Sequence, residues 1–153
     1  SGHDRAPPRV ILAVFDTNVL AACAVASTGA LATLLQAWRR GDVRVVVSAH
    51  ILGELDRALD NDYFASRLGA DRRQAYVDHL AANTTMVDIM APIPAVVSTL
   101  GDNLVLAPAE SAGAPYLVTG DAELLRLGRY KSTQILTPRQ FGRALEMVGP
   151  GGR

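Results

Sequence analysis

The sequence predicts an α/β fold: a single three-layer α/β/α domain built around a central parallel sheet of four to five strands. Three observations carry that prediction. Short runs rich in β-branched residues alternate with longer stretches of helical spacing, in an order close to βααβααβαβαβ. Nothing signals an antiparallel hairpin, which leaves crossover connections and parallel pairing. The 153 residues suffice for one domain with a full core, and no linker, repeat or low-complexity segment divides them.

Residues 10–15 are six consecutive apolar residues, the mark of a strand buried on both faces. Asp16 arrives where that strand ends. It is either the N-cap of the next helix or a carboxylate at the edge where open α/β sheets bind ligands. Residues 17–26 read as that helix, broken by Ser27-Thr28-Gly29. A second helix follows over 30–40, with Leu31, Leu34, Leu35 and Trp38 at helical spacing. Gly41-Asp42 ends it, and Arg39 and Arg40 fall in its last turn, where cations suit the helix dipole. Residues 43–47 are the next strand and Ser48 is a good N-cap. The helix it opens has a core stripe of Ile51, Leu52, Leu55 and Leu59. Glu54 flanks that stripe, placed either on a solvated face or looking back toward the sheet edge.

Residues 61–69 read as helical or irregular, and Asp71 as the cap of a helix ending near Ala82. A third strand is predicted over 84–89 and a proline-bearing loop over 90–94. Gly101-Asp102-Asn103 puts an acid just before a helix over 104–112, where Pro108 predicts a kink. Residues 116–118 are a short buried strand, ended by Thr119-Gly120-Asp121 much as Asp16 ends the first. A short helix over 122–127, a last strand over 134–136 and a closing helix with Pro138 in its first turn complete the chain.

Composition narrows the function. The chain is 49% hydrophobic and 20% charged, so it folds. Fifteen basic and fifteen acidic residues cancel, so a nucleic-acid surface must be a local patch. Fourteen of the basic residues are Arg, and Lys131 is the only lysine. Cys23 is the sole cysteine, which excludes an intrachain disulfide and a cysteine metal cluster. The longest apolar run, residues 19–26, is far short of the roughly 20 needed to span a bilayer. With no signal-peptide pattern, a soluble cytoplasmic protein is expected. Glycine-rich dinucleotide and P-loop fingerprints are absent.

Asp16, Glu54, Asp102 and Asp121 all fall at strand-end or helix-start positions, which share one edge of a parallel sheet. Carboxylates gathered there repel one another. A divalent cation removes the repulsion, and all-oxygen ligands suit Mg²⁺ or Mn²⁺. Such a centre can activate water for attack on a phosphodiester. No serine–histidine pair, cysteine or placed lysine competes, and His50 and His79 read as ordinary surface or packed histidines.

These features resemble the PIN-domain family, and more narrowly its VapC-like toxins of toxin–antitoxin pairs. The resemblance covers nearly all of residues 10–145. It rests on Phe15-Asp16-Thr17-Asn18-Val19-Leu20, Ser48-Ala49-His50-Ile51-Leu52-Gly53-Glu54-Leu55 and Asp102-Asn103-Leu104-Val105-Leu106-Ala107. It continues through Tyr116-Leu117-Val118-Thr119-Gly120-Asp121-Ala122-Glu123-Leu124-Leu125 and Ile135-Leu136-Thr137-Pro138-Arg139-Gln140-Phe141. It implies a Mg²⁺- or Mn²⁺-dependent ribonuclease with catalytic ligands Asp16, Glu54, Asp102 and Asp121, supported by Asn18 and Thr119. It also implies a cognate antitoxin and a homodimer, for which the apolar helices over 19–26 and 30–38 offer surface. RNA, single-stranded or looped, would be held by Arg39, Arg40, Arg72, Arg73, Arg126 and Arg129. The expected organisation is a tail over 1–8 (Ser1-Gly2-His3 looks like an expression scar), a PIN domain over 9–146 and a tail over 147–153. Two departures stand out: Thr99-Leu100 replaces an Asp-Pro pair common in relatives, and Pro108 is unusual. One alternative is a PIN fold that binds RNA or a partner without cleaving. Another is a haloacid-dehalogenase-like phosphatase, which needs a second Asp where Asn18 stands.

Overall fold

The first strand lies in the middle of the molecule. The computed structural model describes residues 10–89 and 92–148, so the expected tail over 1–8 and residues 149–153 lie outside it. Strand β1 (Ile11–Phe15) pairs in parallel with β2 (Val43–Val47) on one side and β4 (Tyr116–Val118) on the other. Beyond β2 lies β3 (Thr84–Met86), and beyond β4 lie β6 (Thr133–Leu136) and β5 (Arg129–Tyr130). The chain thus runs outward from β1 to β3, then returns to the opposite side of β1 at β4. That reversal opens a crevice at the carboxyl ends of β1 and β4, where open α/β sheets bind ligands. β1 reads as buried on both faces in the sequence, and Ala13, Val14 and Phe15 are fully buried.

Helices α1 (Thr17–Val25) and α2 (Gly29–Arg39) join β1 to β2. Helices α3 (Ala49–Leu59), α4 (Asp62–Arg67) and α5 (Ala70–Asn83) join β2 to β3. Then α6 (Leu100–Ala112) leads to β4, α7 (Ala122–Leu127) to the last strands, and α8 (Pro138–Val148) closes the described chain. Ser48 caps α3 as expected, accepting from the Ile51 N–H at 3.2 Å.

Several local expectations need correction. The sheet has six strands, and β5 pairs with β6 antiparallel. Its turn places Lys131 at φ 52°, in the left-handed region. A Lys-Ser turn lacks the Asn or Gly that announces a hairpin. Glu110 secures it instead, accepting from Lys131 Nζ (2.6 Å) and the Tyr130 hydroxyl (3.0 Å). β3 stops at Met86 rather than Ile89, with one further ladder bond from Val87 N–H to the Val47 carbonyl. Gly69, not Asp71, stands at the N-cap of α5, and Asp71 lies in its first turn. Helix α6 begins at Leu100 with Thr99 as its cap, so Asp102 lies inside the first turn rather than before the helix. The helix continues through the buried Pro108 to Ala112.

An aromatic cluster fastens the layers. Trp38 meets Phe15 edge-on at 5.5 Å, and Phe141 meets Phe15 at 6.1 Å. Trp38 Nε1 donates to the Asn83 carbonyl at 2.9 Å, and the His79 ring lies 4.2 Å from the indole. Burial lowers the His79 pKa, in keeping with a packed, neutral imidazole. Val19, Leu20, Ala21 and Cys23 of α1 and Leu34, Leu35 and Trp38 of α2 are all buried. The two helices therefore spend their apolar residues on this core, leaving little of them for a partner. Among the described residues no single helix is long and apolar enough to cross a membrane.

The Tyr76 hydroxyl, buried beneath α1, donates to the Leu20 carbonyl at 2.6 Å. Tyr76→Phe keeps the ring and removes only that bond. It should cost about 0.5–1.5 kcal/mol in urea unfolding; an unchanged midpoint would show the bond contributes nothing.

Candidate active site

Asp16 is fixed at the point where β1 and β4 end together. Its N–H donates to the Val118 carbonyl at 2.9 Å, continuing the β1–β4 ladder by one residue. One carboxylate oxygen, Oδ1, accepts from the Thr17 N–H at 2.7 Å. The other, Oδ2, accepts from the Thr119 hydroxyl, also at 2.7 Å. Asp16 is therefore an N-cap and a crevice residue at once, and only 8% exposed. Burial raises its pKa above the ordinary value; the Thr119 and Thr17 bonds oppose that, and the charge of Asp121 adds to it. Desolvation wins.

Thr119, fully buried, is the hinge of the arrangement. Its hydroxyl oxygen also accepts from the Asp121 N–H at 3.0 Å, so one side chain holds both acids. Asp121 caps α7, accepting from the Leu124 N–H at 3.0 Å. Asp102 approaches from the first turn of α6. Its pKa is raised, first by partial burial and then by the charges of Asp121 and Asp16. Asp102 thus feels the charges of the other two acids, and Asp16 feels that of Asp121.

Glu54 stands apart. It is ion-paired with Arg57 one turn along α3. That bond and the guanidinium charge lower its pKa. Asp16, Asn18, His50, Glu54, Arg57 and Asp102 line one crevice of about 440 Å³. Asp121 and Thr119 are not among its lining residues. Among the described residues no three or more His, Cys, Asp or Glu side chains stand together closely enough to hold a metal ion. Arg57 engages Glu54, and the two threonine groups engage Asp16.

The arginines selected from the sequence lie elsewhere. Arg40 is bound to Asp42, and Arg73 to Asp56 (3.1 Å) and Asp60 (2.7 Å). Arg72 reaches the Ala24 carbonyl at 3.4 Å, while Arg39, Arg126 and Arg129 are exposed. None of the six lines the acidic crevice; Arg57 and His50 do. Both could have been found from spacing, since positions 50, 54 and 57 share one face of a helix. A second hollow, of about 430 Å³ between α3 and α5, is walled by Leu52, Leu55, Leu59, Val77 and Leu80 and carries no converging acids.

The raised carboxyl pKa values have a consequence for stability. As pH rises, Asp16 and Asp102 give up their protons later in the folded protein than in the unfolded chain. Stability gained by protonation is therefore present below the ordinary value of 3.8 and is lost as pH rises through the folded pKa values. Asp102→Asn should weaken that dependence and raise the metal-free Tm at neutral pH by about 1–3 °C, given the screening of a half-exposed site. Melts across a pH series check this. A lower Tm would mean that the helix dipole's attraction for Asp102 outweighs the repulsion.

Comparison with known proteins places the fold and the family. No curated protein matches the sequence. A solved structure with a similar fold is described as the crystal structure of VapBC2 from Rickettsia felis bound to a DNA fragment from their promoter. The matched chain is 14% identical, with a TM-score of 0.56, over 82% of this chain and 97% of that one. At that identity the likeness is one of fold. Residues 12–123 match the sequence model of the PIN domain, a span that includes β1 but for its first residue, all of β4 and all four acids. The chain belongs to the PIN-domain family.

Proposed function

We propose that this PIN domain, residues 9–146, is a Mg²⁺- or Mn²⁺-dependent endoribonuclease, the toxin of a toxin–antitoxin pair acting in the cytoplasm. One observation carries the reading: Asp16, Glu54 and Asp102 line one crevice at the sheet's switch point, and the Thr119 hydroxyl ties Asp121 to Asp16 beside them. Their all-oxygen chemistry is the kind a hard divalent cation takes, although the side chains would have to draw closer together than they stand here to ligate it. Asp16, Asp102 and Asp121 would hold it, with Glu54 joining once released by Arg57. When bound, the cation supplies an activated water and neutralises charge on the attacked phosphodiester.

The chain's own residues do the rest. Thr119 holds Asp16 Oδ2, fixing the carboxylate plane while leaving each oxygen a lone pair. Asn18 lines the crevice, where its carboxamide would support the ligands by hydrogen bonding. Arg57 is the arginine lining the crevice, and its guanidinium suits a bidentate phosphate contact. Arg39, Arg40, Arg72, Arg73, Arg126 and Arg129 would act further out along the RNA, where phosphate contacts add affinity without sequence preference. The α3–α5 hollow suits an apolar segment of the antitoxin, and the protein would dimerise. Light scattering tests the dimer, and a monomer at high micromolar concentration would count against it.

A second reading, an RNA- or partner-binding PIN fold without cleavage, is favoured by one feature: Glu54 is paired with Arg57 rather than free to ligate. A phosphatase of haloacid-dehalogenase type has less support, since Lys131 is paired with Glu110 and does not line the crevice.

Purified protein should cleave single-stranded RNA with Mn²⁺ and stop in excess EDTA; undiminished cleavage in EDTA would sink the metal mechanism. Asp102→Asn leaves the Thr99 cap intact, so it should lower cleavage about 10²–10³-fold and shrink the Mn²⁺ thermal shift. Arg57→Gln separates the two readings further. If Arg57 competes for Glu54 and then binds phosphate, the variant should bind Mn²⁺ more tightly and RNA more weakly, each by several-fold. No change in either would leave the pair an ordinary surface salt bridge.

A further inference from the structure

Asp16 and Asp121 are placed by the sheet, since each follows closely on a strand end, Phe15 or Val118. Asp102 has no such support. It lies in the first turn of α6, and between Met86 and Leu100 the described residues form neither helix nor strand. Some other contact must hold that turn, because a displacement of about 1 Å in an active site can cost about a hundredfold in rate.

Two side chains grip the segment leading into it. Asn103, 5% exposed, accepts at Oδ1 from the N–H groups of Val96 (3.1 Å) and Val97 (3.2 Å). Its Nδ2 donates to the carbonyls of Val97 and Thr99, both at 2.9 Å. A carboxamide has two donors and two acceptor sites, so the whole capacity of this side chain is used on one loop. Glu123, in the first turn of α7, accepts from the Ser98 N–H (2.8 Å) and the Ser98 hydroxyl (2.6 Å). Thr99, held between these grips, accepts from the Asp102 N–H at 3.2 Å. Asn103 adjoins Asp102, and Glu123 is two residues from Asp121. Hydrogen bonds therefore run from the turn carrying one acid, through the loop, to the turn carrying the other.

We propose that Asn103 and Glu123 are positioning residues that set Asp102 against Asp16 and Asp121 by clamping residues 96–99. The inference rests on the metal-dependent nuclease reading and deepens it. Neither residue lines the crevice, so neither touches substrate there; both act through the loop. The clamp also accounts for Thr99-Leu100. An Asp-Pro pair would fill the N-cap and first helical positions with residues suited to both. Here Thr99 supplies the cap, Leu100 lacks the fixed φ of proline, and the two grips supply the rigidity.

Glu123→Ala carries the test, because Asn103→Leu removes four hydrogen bonds from a buried side chain and endangers the fold. Glu123→Gln is the conservative control, since its carboxamide can still accept from the Ser98 N–H. Three quantities are read on the full chain: amide hydrogen exchange over 96–102, Mn²⁺ affinity from titrated thermal shifts, and kcat and KM on a single-stranded oligoribonucleotide. In Glu123→Ala, exchange should quicken over that segment. The Mn²⁺ Kd should rise and kcat fall by about 10–100-fold, the usual scale for such supporting groups. KM should hold, and Gln should restore most of the loss. Unchanged exchange would overturn the clamp. Faster exchange with wild-type Mn²⁺ affinity and kcat would reduce it to a structural contact and overturn the positioning role. A Gln variant as impaired as Ala would also overturn it, because the negative charge rather than the bond would then matter. Wild-type protein with no response to Mn²⁺ would fail the nuclease reading itself and the proposal with it, a result seen before any variant is made.

Discussion

The hydrogen bond from Thr119 to Asp16 is the contact on which the site depends. It joins two residues 103 positions apart in sequence, at the ends of adjacent strands whose pairing defines the switch point of the sheet. A hydrogen bond to a charged group contributes about 1.5–3 kcal/mol. That is less than the cost of burying a carboxylate, so the Asp16 pKa remains raised. The same hydroxyl takes the Asp121 N–H, which couples the ends of β1 and β4 to the start of α7. A threonine at this position is thus both a strand terminator and the joint between two acids.

Around that joint the protein gathers like charge without neutralising it. Asp121 disfavours the ionisation of Asp16, and both disfavour that of Asp102, while the fourth acid is neutralised by its own helix. Glu54 and Arg57 lie one turn apart on α3, so their pairing needs no tertiary contact. Among the described residues, no ion pair joins Asp16 or Asp102 to a cation. A crevice built this way stores a modest electrostatic cost in the folded state. Sites poised for a charged ligand have that character, because the ligand relieves what the fold has set up.

The supports of the site differ in kind. The sheet holds Asp16 and Asp121 through backbone pairing, and the aromatic cluster of Phe15, Trp38 and Phe141 fixes β1 beneath them. The approach to α6 relies on side-chain bonds to a loop instead. Bonds of that sort cost less to break than a sheet ladder buried on both faces. Local opening of the protein should therefore begin in that segment rather than in the strands.

Much of this was legible in the sequence. The six apolar residues ending at Asp16, the Ser48 cap, the Tyr116-Leu117-Val118 strand and the four acids all follow from patterns of period, composition and strand-end placement. Such patterns are local, so they place an element and the acid at its end. They do not reveal hydrogen bonds between distant residues. Nothing in the order of residues shows that Thr119 would bridge Asp16 and Asp121. Nor does it show that Asn103 would spend its whole side chain on a loop. The β5–β6 hairpin was hidden because Lys131 adopts a left-handed conformation that Glu110 secures from α6. The start of α6 was misplaced because Asp102 looked like a cap, while the Thr99 hydroxyl takes that role. The sequence determined the fold class and brought the acids to one sheet edge, because burial and strand order dictate both. Only the tertiary structure decided which acids meet, since hydrogen bonds and desolvation depend on distances that the chain sets only once folded.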